Sequence, residues 1–265
     1  MKRIALLGPE GTFSDLAYRA YKDRTMVAVY QKTIRDCFTA LTNDEADLAI
    51  VPIENTIDGY VQQTLDLLID SDLFVSKELR VPIAFSLIAH AKDESEIARL
   101  YVQFVAHGQC QKAIDALPTR EIILTANNQD SRRLVQKSGD AGIVPSHLVD
   151  GFNGFIRHGV ADIRDNHTRF VVLTKRNDRT TLARVKIAVV VFPEVDRPGL
   201  LFDMLAIFKR HRINLISIMS RPTRTGLGNY HFFIEMQGQN NVESALEEIG
   251  KSFHLRILGA YGAHE

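Results

Sequence analysis

Met1-Lys2-Arg3-Ile4-Ala5-Leu6-Leu7-Gly8-Pro9-Glu10-Gly11-Thr12-Phe13-Ser14 opens the chain with a short apolar run, a glycine-bearing turn and the start of a helical pattern over residues 15–21. The run is long enough for a β-strand and too short for a signal-peptide core. The same order recurs where Leu48-Ala49-Ile50-Val51 precedes a helical pattern over 60–69. Repeated strand-then-helix units predict βαβ connections and a largely parallel sheet. Further strands are predicted over 83–89, 122–124, 141–144 and 170–173, separated by charged helical stretches such as 131–137. The first part therefore reads as α/β.

Working outward, the polar stretch Thr174-Lys175-Arg176-Asn177-Asp178-Arg179-Thr180-Thr181 interrupts the pattern and reads as a linker. Beyond it the order changes: strand 186–192, helix 199–209, strands 214–220 and 229–237, helix 242–252 and strand 255–260 spell a ferredoxin-like βαββαβ unit. Asp196 is placed to cap the first of these helices and Pro198 suits its start, while Leu201, Met204, Leu205 and Phe208 share one face. Thr225-Gly226-Leu227-Gly228 supplies a hairpin turn. Asn240 lies three residues before Glu243, close to a capping box, and Val242, Leu246 and Ile249 form the second apolar face.

The 265 residues allow two domains, and 45% hydrophobic with 24% charged residues is an ordinary globular composition. The 32 basic residues cancel the 32 acidic ones, so no global field draws the chain to nucleic acid or an anionic membrane. An anionic ligand must be held locally. No apolar run reaches the roughly 18 residues of a membrane span, and the two cysteines, Cys37 and Cys110, make no disulfide scaffold. A cytoplasmic location is expected.

Three motifs carry chemistry. Gly8-Pro9-Glu10-Gly11-Thr12-Phe13-Ser14 places a close-approach turn and free amides of a helix start beside the hydroxyls of Thr12 and Ser14, which suits an anion. Val51-Pro52-Ile53-Glu54-Asn55-Thr56-Ile57-Asp58-Gly59 puts polar groups at the carboxyl end of a strand, where open α/β sheets bind ligands; Glu54 and Asn55 equally fit as helix caps. Asp165-Asn166-His167-Thr168-Arg169-Phe170 sets a hydroxyl beside a guanidinium, a pair able to hydrogen-bond a leaving oxygen and clamp a carboxylate. Neither strand-helix turn carries a dinucleotide Gly-x-Gly-x-x-Gly fingerprint, and no His-Glu-x-x-His or paired Cys-x-x-Cys is present, so neither a cofactor nor a metal is expected.

In their order and spacing these motifs resemble the prephenate dehydratases, and Arg197-Pro198-Gly199-Leu200-Leu201 with Ile213-Asn214-Leu215-Ile216-Ser217-Ile218-Met219-Ser220-Arg221-Pro222 resembles an ACT regulatory domain. The resemblance implies a two-lobed catalytic domain of the type II periplasmic-binding-protein kind over 1–176, with one lobe from about 1–80 and 160–176 and the other from 81–159, followed by an ACT domain over 185–262. It implies decarboxylative dehydration of prephenate to phenylpyruvate under control by phenylalanine, in a homodimer or homotetramer. Thr168, Glu54, Asn55 and Ser14 become the expected catalytic residues, and Gly11, Thr12, Phe13, Arg169 and Phe170 the expected substrate contacts. Arg169 is expected to bind a substrate carboxylate. Gly199, Leu200, Leu201, Asn214, Leu215, Ser220, Arg221 and Pro222 are the expected effector site. An enzyme acting on arogenate, or a two-lobed amino-acid sensor without catalysis, are the rival readings.

The sequence departs from the family pattern in places. Gln103 stands where a His is usual, Asn128 replaces a Thr hydroxyl by an amide, and Met219 replaces the Glu of Glu-Ser-Arg-Pro. The first two bear on substrate contacts from the second lobe. His107 is expected to be structural and Cys110 a buried helix residue.

Overall fold

The computed structural model describes residues 1–176, 186–193, 197–224, 229–238 and 241–262. Strands β1 (Lys2–Leu7), β2 (Met26–Gln31) and β3 (Leu48–Asn55) run parallel, joined by helices α1 (Phe13–Tyr21) and α2 (Ile34–Thr42). A reciprocal capping box between Thr33 and Asp36 starts α2. Short strand β4 (Gly59–Tyr60) folds back on the end of β3, helix α3 (Gln62–Asp70) follows, and β5 (Phe74–Pro82) leads into the second lobe.

That lobe comprises β6 (Phe85–Ala89), β7 (Arg99–Gln103), α4 (Phe104–Gln109), α5 (Gln111–Asp115), β8 (Glu121–Thr125), α6 (Asn128–Leu134), β9 (Asp140–Pro145) and β10 (Phe155–His158), with sheet order β10-β6-β9-β7-β8. The chain then returns as β11 (His167–Thr174), which inserts between β3 and β5 to give the order β2-β1-β3-β11-β5. Two crossings therefore join two α/β lobes, the periplasmic-binding-protein arrangement. The returning strand runs antiparallel to both neighbours, and β6 is antiparallel to β9 and β10, so both sheets are mixed rather than largely parallel.

The third unit follows the βαββαβ order: β12 (Lys186–Phe192), α7 (Leu200–Arg210), β13 (Leu215–Pro222), β14 (Tyr230–Gln237), α8 (Val242–Ser252) and β15 (His254–Tyr261), paired as β13-β14-β12-β15. Strand β12 is an unbroken apolar run because both of its faces are covered. Ile187, Val189 and Val191 pack under Met204, Phe208 and Ile249 of the two helices. Ala188 and Val190 enter the core of the first lobe with Leu65, Leu68 and Val171. The sheet of the third unit is thus built into the core of the first lobe. At Gly259 of β15 an added Cβ would lie 2.1 Å from the Val75 carbonyl oxygen, so only glycine lets this strand press backbone to backbone on β5.

The helix expected over 60–69 starts at Gln62, because Tyr60 pairs with Glu54 in β4. Glu54 and Asn55 close β3 and cap no helix; the residue before α3 is Val61, whose side chain makes no cap bond. Asp196, the Thr225–Gly228 turn, Asn240 and positions 177–181 of the linker lie outside the described residues.

Candidate active site

A cavity of about 510 Å³ lies between the two lobes. It receives the carboxyl ends of β1, β3 and β7 and the cleft-facing side chains of β11, which brings all three motifs to one place. Asn55 and Thr168 are cross-strand partners on β3 and β11. Asn55 Nδ2 donates to Thr168 Oγ1 at 2.9 Å and to Asn166 Oδ1 at 3.0 Å. Asn55 Oδ1 accepts from the amides of Ile57 and Asp58, which fixes the amide's orientation. Because Thr168 Oγ1 accepts this bond, its own hydrogen is free to point into the cleft, and the accepted bond polarises that O–H. Asn166, only 2% exposed, donates in turn to Gln109 Oε1 of the second lobe at 3.2 Å. A polar chain thus runs from one lobe to the other beneath the cavity.

Phe13, Ser14 and Thr12 line the opposite wall at the start of α1. Thr12 is the cap, accepting from the Asp15 amide and donating to the Leu7 carbonyl, so its hydroxyl is occupied. The Asp15 carboxylate turns back to the Gly11 amide at 2.9 Å. The amides of Phe13 and Ser14 remain as the helix's unfilled donors. Among the described residues Lys32, between β2 and α2, is the only lysine or arginine lining the cavity, and Asp58 the only carboxylate. Phe13 meets Phe85 edge-on across the cleft at 5.6 Å.

Gly11 lies beside the cavity rather than in it. Its carbonyl is 2.9 Å from His147 Nε2, and Gln129 Nε2 donates to the Glu10 carbonyl at 3.2 Å, so this turn is where the lobes touch. Gly11 has φ +82°, and an added Cβ would meet Gln129 Nε2 at 2.0 Å. Burial holds the His147 imidazole below its ordinary pKa, and its neutral form fits a single bond to a carbonyl.

Arg169 and Glu54 do not face the cleft. Successive side chains of a strand point to opposite faces, and Thr168 and Phe170 occupy the cleft face of β11. Arg169 emerges on the other face, 7% exposed, where it meets three carboxylates. Its Nη2 donates to Glu235 Oε2 at 2.7 Å and its Nη1 to Glu78 Oε2 at 3.0 Å and to Glu235 Oε1 at 3.1 Å. Glu54 Oε2 lies 2.9 Å from Nε, an ion pair whose angle does not make it a hydrogen bond. Burial alone would lower the guanidinium's pKa, but the bonds and charge of Glu235 hold it above its ordinary value. Arg169 was expected to clamp a substrate carboxylate; here its terminal nitrogens are bonded to Glu235 of the third unit and to Glu78 and Tyr60 of the first lobe.

On the second lobe, Gln103 Oε1 caps α4 through the amides of Val105 and Ala106. Asn128 lines the cleft, and its Oδ1 is buried without a partner among the described residues. His107 is bonded to Gln111, and burial pushes the thiols of Cys37 and Cys110 up to about 12, so none of these is poised as a base or nucleophile. Lys32, Gln109 and Asn166 were not among the expected site residues. Asn166 stands inside a quoted motif, whereas no quoted motif marks Gln109 or Lys32.

Around the expected effector site, Gly199 has φ +81° at the head of α7 with open space beside it, and Leu201 and Asn214 are exposed while Leu200 is buried. Ser220 and Pro222 face outward. Arg221 faces the other way and pairs with Asp66 of α3 at 2.7 and 2.9 Å, and Met219 packs on the first lobe's core. Arg221 is therefore a domain-docking residue rather than part of an outward-facing site.

Two lobes around a largely apolar cleft with a few polar groups, joined to a βαββαβ unit, define a catalytic fold of the periplasmic-binding-protein type carrying an ACT domain. Residues 4–178 match the family model for prephenate dehydratase and residues 194–254 that for the ACT domain. The bifunctional chorismate mutase/prephenate dehydratase of Aquifex aeolicus (strain VF5) is 30% identical over 266 residues, covering 98% of this chain and 73% of that protein. The crystal structure of the prephenate dehydratase from Staphylococcus aureus subsp. aureus Mu50 superposes with TM-score 0.87 at 28% identity, covering 98% and 100% of the two chains. That of the Arthrobacter aurescens prephenate dehydratase in complex with L-Phe gives TM-score 0.82 at 28% identity, covering 98% and 90%. The chain belongs to the prephenate dehydratase family.

Proposed function

We propose that the cleft converts prephenate to phenylpyruvate with Thr168 bonded to the leaving hydroxyl, and that the ACT domain lets phenylalanine control the reaction. The observation that carries this reading is the Asn55–Thr168 hydrogen bond, which leaves the Thr168 O–H free to point into the cleft between the lobes. In the reaction the bond between ring and carboxylate breaks, its electron pair moves into the ring, carbon dioxide leaves, and the ring hydroxyl departs with its own bonding pair as the ring becomes aromatic. Aromatisation supplies the driving force. The protein must lessen the charge on the departing oxygen and hold the carboxylate in line.

Thr168 meets the first need as a hydrogen-bond donor. An alcohol is too weak an acid to give its proton away at neutral pH, so water completes the transfer. Asn55 holds Oγ1 in place and Ser14 faces the same cavity. For the carboxylates, Lys32 supplies the cation and the Phe13 and Ser14 amides supply donors, taking the part once expected of Arg169. Phe13, Phe85 and Phe170 flank the ring, and the dry wall they form favours charge leaving the carboxylate. A homodimer or homotetramer in the cytoplasm, with phenylalanine held near Gly199, Leu200, Leu201, Asn214, Leu215, Ser220 and Pro222, completes the proposal.

One observation favours a second substrate: an ammonium in place of the ketone, as in arogenate, would supply the donor that Asn128 Oδ1 lacks. The test is phenylpyruvate formation from prephenate by the purified chain, beside phenylalanine formation from arogenate. A higher kcat/KM on prephenate, falling or rising with added phenylalanine, is expected; a higher value on arogenate overturns the substrate.

A further inference from the structure

Glu235 lies on β14 of the ACT sheet and is 0% exposed. Its carboxylate accepts from both terminal nitrogens of Arg169, from the hydroxyls of Tyr60 and Tyr261, and more distantly from Ser217 at 3.4 Å. Every lone pair of this carboxylate is used, with Arg169 and Tyr60 reaching it from the catalytic domain and Tyr261 and Ser217 from its own. Replacing such a buried pair by apolar side chains is often neutral for stability, so folding alone gives little reason for it.

Its position along the chain suggests what else it does. Arg169 sits between Thr168 and Phe170, which both line the cleft. Its ion partner Glu54 is its cross-strand neighbour, and the next residue on that strand is Asn55, the donor to Thr168. Between Arg169 and Phe170 the pairing with β3 slips by a residue, a bulge next to the Thr168–Asn55 pair, while the pairing with β5 runs on without a shift there. On the far face the side chain at this bulge is Arg169, held by Glu235, Glu78 and Glu54. Tyr60, which also bonds Glu235, belongs to the strand paired with Glu54 and Asn55.

We infer that Glu235 is a positioning residue for catalysis, supplied by the regulatory domain, which holds the Asn55–Thr168 pair in register through Arg169 and carries the phenylalanine signal to it. The inference rests on the reading of Thr168 and Asn55 as the catalytic pair. An effector that shifts β14 then moves Arg169, and with it the strand segment bearing Thr168; a displacement of about 1 Å at a reacting group costs on the order of 100-fold in rate.

The test uses the full chain, with Glu235→Gln and Glu235→Asp beside wild type and Thr168→Val, in prephenate turnover with and without phenylalanine. For Glu235→Gln we expect kcat to fall about 10- to 100-fold, KM to stay within about threefold, and the phenylalanine response to shrink; Glu235→Asp, which keeps the charge, restores part of both. A folded Glu235→Gln enzyme with wild-type kcat and a wild-type phenylalanine response overturns the inference. Should Glu235→Gln fail to fold, Tyr261→Phe removes one bond from the same carboxylate and leaves the ion pair, and unchanged kcat and phenylalanine response there overturn it equally. Thr168→Val separates the levels: if it keeps wild-type kcat, the catalytic pair is wrong and the link falls with it, whereas loss there beside normal Glu235 variants removes the link alone.

Discussion

Arg169→Met tests whether the guanidinium is a buried ion partner or a substrate clamp, because the two roles predict opposite results. Methionine keeps the unbranched stem and deletes the charge. Glu235, 0% exposed, then loses its cation; Glu78 keeps Lys186 at 2.6 Å. Breaking a buried pair from one side costs about 3–5 kcal/mol. In the wild type, burial by itself raises the Glu235 pKa, but the bonds and charge of Arg169, with the two tyrosine hydroxyls, hold it below its ordinary value. A depressed folded pKa contributes stability that is present above the unfolded value, about 4.3, and is lost as pH falls through the folded value. In the variant the sign reverses, since desolvation is left unopposed by the arginine and the carboxylate takes up a proton more readily folded than unfolded. The deficit is therefore largest near neutral pH and shrinks toward pH 4. Urea denaturation followed by tyrosine fluorescence measures it, the chain having 7 Tyr and no Trp, with Tyr60 and Tyr261 in the network itself. A loss of about 3–5 kcal/mol at pH 7.5 that becomes smaller at pH 5 is expected. A loss under about 1 kcal/mol at both pH values, joined to a large rise in KM, would restore Arg169 to the substrate and refute the reasoning.

Lys32→Met removes the one basic side chain that lines the cleft among the described residues, and KM for prephenate should rise about tenfold, or 1.4 kcal/mol, while kcat holds within about twofold; added salt should narrow the gap between variant and wild type, and an unchanged KM removes Lys32 from the site. Gly11→Ala puts a side chain at φ +82° against Gln129 and should cost about 1–2 kcal/mol of stability together with a loss of kcat/KM from impaired lobe contact. Thermal melting and steady-state kinetics check it, and a variant equal to wild type in both would mean the turn does not join the lobes.

Much of this architecture is legible in the sequence because burial and pattern agree. Strand β12 is covered on both faces and reads as an apolar run, and α8 shows the expected apolar face, while on α7 Leu200 and Ile207 join Met204 and Phe208 in the core and Leu201 is exposed. Strand β5 is obscured because Lys77, Glu78 and Arg80 interrupt its apolar pattern, and Glu78 is buried as an ion partner rather than exposed. Strand β2 is only half covered at the sheet edge and shows no inward stripe. The motifs name Asn55 and Thr168, yet their neighbours Glu54 and Arg169 follow a strand's alternation to the opposite face, a signal already present in Glu54-Asn55 and Thr168-Arg169-Phe170. What alternation cannot supply is the partner. Glu235 lies 66 residues from Arg169 in another domain, and only the packing of one sheet on the other brings them together.

The most direct test of Thr168 as the group bonded to the leaving hydroxyl is kcat on prephenate for Thr168→Val and Thr168→Ser, each verified as folded. Valine keeps the shape and deletes the O–H, so kcat should fall about 10²- to 10⁴-fold, while serine keeps the hydroxyl and should stay within about tenfold of wild type. A valine variant that turns over at nearly the wild-type rate would contradict the account.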